Sequence, residues 1–60
     1  MTVFIKAAID DLVGLDLPKL KQDIIAAVDY DNRGLQDICI DGKTMQVEID
    51  PDGFYMEVYF

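Results

Sequence analysis

Asp29, Asp31, Asn32 and Gly34, in the stretch DYDNRG, have the types and order that open a calcium loop. An EF-hand wants oxygen ligands at its first, third, fifth and ninth positions, Gly at the sixth, and a bidentate Glu at the twelfth between two helices. Counting from Asp29, the chain supplies Asp29, Asp31, Gly34 and Asp37 in register. It places Arg33 fifth and Ile40 twelfth. A guanidinium cannot ligate calcium and adds a positive charge inside the loop, and without the Glu the largest carboxylate contribution is gone. The same letters describe a helix stop, because Asp and Asn bond nearby backbone and Gly accepts a left-handed conformation. The helix stop is the reading adopted, with Asp29, Asp31 and Asp37 as weak cation ligands at most.

The other reactive residue types form no constellation. The chain has neither His nor Ser, so nucleophile systems built on those residues are excluded. Cys39, the single cysteine, has Asp37 and Asp41 as neighbours by alternation, and their charge disfavours the thiolate. Asp10 and Asp11 are adjacent, and adjacent helical residues point about 100° apart, so they cannot converge on one substrate bond. The glycines at 14, 34, 42 and 53 are scattered and make no phosphate loop. No enzyme activity, cofactor or structural metal is expected.

Composition sets the remaining bounds. Sixty residues make one domain, and a chain this short buries only about 60% of its unfolded surface. It has neither disulfides nor a Cys/His cluster to staple it. Hydrophobic residues make up 52% of the chain, which favours a homo-oligomer or a partner that covers apolar surface. Apolar runs are broken by Asp or Lys well short of about 18 residues, and no signal-peptide pattern opens the chain, so a cytoplasmic protein is expected. Twelve acidic against five basic residues give a net charge of −7. That balance disfavours direct contact with nucleic acid or an anionic membrane and favours association with a basic protein.

The hydrophobic period divides the chain into a helical half, residues 2–30, and a β-meander, residues 35–60. In VFIKAAIDDLV, Ile5, Ala8, Ile9, Leu12 and Val13 form a helical stripe, with Thr2 as N-cap and Gly14 as stop. TVFIK also has strand character, which leaves an N-terminal strand to about residue 7 as the alternative. Asp16 caps a second helix with Pro18 in its first turn, and Leu17, Leu20, Ile24, Ala27 and Val28 share its inner face. From residue 35 the period becomes 2, interrupted by Asp41-Gly42, a primed two-residue turn, and by Pro51-Asp52-Gly53. The expected fold is α+β, two helices on one face of a three-stranded antiparallel meander (ααβββ), with βαβββ as the alternative.

Alternation sends Ile38, Ile40, Met45, Val47, Ile49, Phe54, Met56, Val58 and Phe60 to the helix side. The opposite face receives Asp37, Asp41, Glu48, Tyr55, Glu57 and Tyr59, carboxylates among aromatic rings suited to a basic, Arg-rich partner. The last strand, FYMEVYF, reads as an apolar edge, so Phe54, Met56 and Phe60 are candidates for self-association. The leading expectation is a non-enzymatic regulatory binder that occupies a basic, nucleic-acid-binding surface of a partner protein. By analogy alone, small acidic chains of this kind include phage-encoded inhibitors that imitate the charge of nucleic acid. A structural or assembly subunit acting through apolar self-association is the alternative, and a weak calcium-binding module the third.

Overall fold

The computed structural model describes residues 1–60. The chain runs β1 (Thr2–Lys6), α1 (Ile9–Leu12), α2 (Leu17–Ala27), β2 (Leu35–Ile40), β3 (Lys43–Ile49) and β4 (Tyr55–Tyr59). A strand comes first, as in the βαβββ alternative, and the four strands form one sheet in the order β1-β4-β3-β2. The α+β class therefore holds, while the ααβββ order does not. β1 lies parallel to β4, and the β2-β3 and β3-β4 pairs are antiparallel.

The residues read as one long helix split at Lys6 because two periods overlap there. Val3 and Ile5 follow a period of 2, and in a strand they turn toward α2, Val3 becoming buried beside its register partner Met56. What remains for α1 is a single turn. Its N-cap, Ala8, has no side chain to accept a hydrogen bond, and Ile9 and Val13 are 80% and 74% exposed. One helix, not two, covers the sheet.

That helix is α2. The Asp16 side chain accepts a hydrogen bond from the Lys19 amide at 3.2 Å, Pro18 sits in the first turn, and the Lys19 ammonium pairs with Asp23 at 2.9 Å. Ile24 and Val28 are buried, and Leu20 and Ile25 pack beside them. Ala27 is exposed, so the packed stripe passes through Ile25 instead. Beneath α2 lie Ile38, Met45, Val47, Ile49, Met56 and Val58, completing a core with no buried polar residue.

Both hairpin turns have the expected chemistry. Asp41 and Gly42 take φ of 51° and 81°, the two positive values that a primed turn requires. In the second, the Gly53 amide donates to the Asp50 carbonyl at 2.8 Å with φ of 79° at Gly53. β4 is not an edge. It lies between β1 and β3, so strand-to-strand dimerisation through residues 54–60 is closed. Met56 is fully buried, Phe60 packs against the core, and of the three proposed self-association residues only Phe54, 75% exposed, projects freely.

Candidate functional site: the outer face of the sheet

The DYDNRG segment is a built helix stop. The Asp29 carboxylate accepts from the Asp31 amide at 3.0 Å, and the Asn32 side chain accepts from the Gly34 amide at 3.1 Å. Gly34 does not have positive φ, so its place there is not explained by the left-handed region. Arg33 reaches away from the loop and donates to the Asp50 carbonyl at 3.3 Å. The organiser is Gln36, which the pattern of Asp and Gly does not reveal. Its side chain accepts from the Asp29 amide and donates to the carbonyls of Asp29 and Asn32. Asp29, Asp31 and Asp37 do not converge, and no three acidic or Cys side chains stand close enough to hold a metal.

The outer sheet face is where the sequence-level candidates meet. Strand register sets them in rows: Phe4, Glu57, Glu48 and Leu35 in one, and Lys6, Tyr59, Gln46 and Asp37 in the next. Glu48 and Glu57 are direct cross-strand partners, which places their Cβ atoms about 5 Å apart, an arrangement unfavourable for like charges. No cation lies within ion-pair distance of either, because the only ion pair in the chain is Lys19 with Asp23. Lys43 is occupied over the Phe60 ring, 4.8 Å from its centroid. The two carboxylates are left without a cation of the chain beside them.

Aromatic rings flank this acidic pair. Phe4 packs edge-on against Tyr55 with centroids 5.7 Å apart, and both remain partly exposed. Tyr59 donates its hydroxyl to the Glu57 carboxylate. That hydrogen bond, followed by desolvation and the negative charge of Glu57 and Glu48, holds the Tyr59 hydroxyl above its ordinary pKa. Phe4 is an addition to the face, missed because residues 3–13 read as helix.

Asp41 belongs elsewhere. Alternation assigns it to the outer face, but the positive φ at Asp41 ends the alternation one residue after β2. It instead lines a shallow cleft with Leu15, Asp16, Lys19, Leu20 and Asp23. The Lys19 ammonium there is held above its ordinary pKa, first by the hydrogen bond and charge of Asp23 and then by the charge of Asp41. Cys39 is exposed beside Thr44, its cross-strand partner. No protein-family model, curated protein or solved structure matches the chain.

Proposed function

We propose that this protein is a small, non-enzymatic binding module whose outer sheet face occupies a basic surface on a partner protein, of the kind that otherwise holds nucleic acid. The observation that carries the reading is the Glu48-Glu57 pair, opposed across two strands with no cation of the chain to neutralise it. A like-charge pair costs stability in the free protein, and that cost is relieved when a partner supplies the missing positive charge. Phe4, Tyr55 and Tyr59 around the pair offer ring faces and edges on which an Arg side chain can stack. The net charge of −7 adds long-range attraction toward such a surface.

Immobilised protein incubated with lysate of its native host, then washed at low and high salt, tests this directly. The expected result is capture of a basic nucleic-acid-binding protein that leaves at high salt and is not captured by the Glu48→Gln/Glu57→Gln double variant. Equal capture by that variant, or capture that high salt leaves intact, overturns the reading. The second reading, an assembly subunit with apolar contacts, is favoured by the exposure of Ile9, Val13 and Phe54. It predicts salt-resistant association lost on Phe54→Asp or Val13→Asp.

A further inference from the structure

The sheet has two free edges, β1 and β2, and they are not alike. β1 pairs parallel with β4, and β4 and β2 each pair antiparallel with β3, so β1 and β2 run in the same direction. Each presents on the outer face an exposed apolar residue followed two positions later by a charged one. On β1 these are Phe4 and Lys6, and on β2 they are Leu35 and Asp37. Register has already placed Phe4 and Leu35 at opposite ends of one row, and Lys6 and Asp37 at opposite ends of the next.

We propose that copies of this chain associate head to tail, the β2 edge of one joining the β1 edge of the next as parallel strands, so that the four-stranded sheet continues from copy to copy. Extending the rows across such a junction without a shift sets Leu35 beside Phe4 of the next copy and Asp37 beside its Lys6. Leu35 is 55% exposed and Phe4 48% exposed, and their contact removes apolar surface from water on both sides. Neither Asp37 nor Lys6 has an ion-pair partner within its own chain. Joining like edges instead gathers the same charge on one junction, both Asp37 side chains in one case and both Lys6 in the other.

The edges are also open. β2 is six residues long, carries neither Pro nor Lys, and no segment hydrogen-bonds to its backbone from the free side. A lysine on an edge strand ordinarily guards it against pairing, and Lys6 plays that role on β1. Asp37 is the side chain that lifts this guard, and only from the matching direction.

A contact between two different patches does not close on itself after two copies, so the product is a ring or an open filament. The measurement is sedimentation of the full chain from micromolar to millimolar concentration at about 0.15 M salt, where a Debye length of about 8 Å weakens general repulsion between acidic chains more than a contact pair. The expected result is an average mass that rises past the dimer as concentration increases. Asp37→Lys and Lys6→Asp, both at exposed positions, should each return it to the monomer, with circular dichroism confirming that the variants fold. The Asp37→Lys/Lys6→Asp double variant should regain the association. A wild-type chain that stays monomeric, a dimer that never grows, or singles and double that behave alike overturns the proposal. The lysate capture and its glutamine variants do not depend on this outcome, so the two readings fail separately.

Discussion

The two faces of the sheet follow opposite rules. On the inner face every buried residue is apolar, α2 seals it, and no buried side-chain polar atom lacks a partner. On the outer face two glutamates oppose each other, a phenylalanine and a leucine stand half exposed, and no ion pair is made. A chain this small holds only a few kcal/mol of net stability, about 0.05–0.15 kcal/mol per residue. The inner face must generate nearly all of it. The outer face adds little to it, since it buries no residue fully and its two opposed glutamates have no cation beside them.

The sharpest way to break this division is Met56→Ala. Met56 is fully buried between α2 and the sheet centre, and truncation there costs about 2–5 kcal/mol through lost transfer energy and the cavity left behind. Urea unfolding should show a midpoint lowered by a large part of the chain's whole stability, and a loss below about 1 kcal/mol would mean that Met56 is not in the core.

Gln36→Ala should come next. Three hydrogen bonds to the loop after α2 disappear, for a loss of about 1–2 kcal/mol seen as a lower urea midpoint. The Asp29 and Gly34 amides should then exchange faster with solvent, since the loop is tied to β2 through this side chain.

Glu57→Gln reverses the sign. It keeps an acceptor for the Tyr59 hydroxyl but removes the repulsion with Glu48, so the free protein should gain about 0.5 kcal/mol while partner capture weakens. A destabilised variant would show that the opposed charges are not a cost in the folded state.

The smallest effect is alkaline. Tyr59 and Lys19 have pKa values raised by folding, the first by its hydrogen bond to Glu57 and the second by Asp23. Their contributions are complete below the unfolded pKa values of about 10 and are lost as pH rises through the folded ones. The urea midpoint should fall above pH about 10, and Tyr59→Phe should flatten the part of the fall that belongs to the outer face. An unchanged alkaline limb in both Tyr59→Phe and Lys19→Met would remove this titration from the account.

Much of the inner face is legible in the sequence. The Asp16 cap, both hairpins and the alternation of β3 and β4 follow from local chemistry, and the structure has each of them. The first strand is different, because Val3 and Ile5 fit a strand while Ile5, Ala8, Ile9, Leu12 and Val13 fit a helix. Local pattern cannot choose between them. The choice is made by a distant strand, β4, whose side away from β3 is free to accept a second neighbour. From that one decision come the addition of Phe4 to the outer face and the loss of β4 as an edge. The misplacement of Asp41 has a local cause, since counting by twos continues into a turn whose positive φ ends the count. Gln36 was invisible for another reason: its partners are backbone groups, which no side-chain pattern encodes.

β1 pairs with β4, and Val3 meets Met56 from more than fifty residues away in the chain. The other two strand pairs join neighbours across turns of a few residues. During synthesis the first strand to be made must wait for the last, while the three later strands can already close on α2. The side of β4 that β1 will occupy stays open through that interval, and closing it carries the largest loop-closure entropy of the three strand pairings.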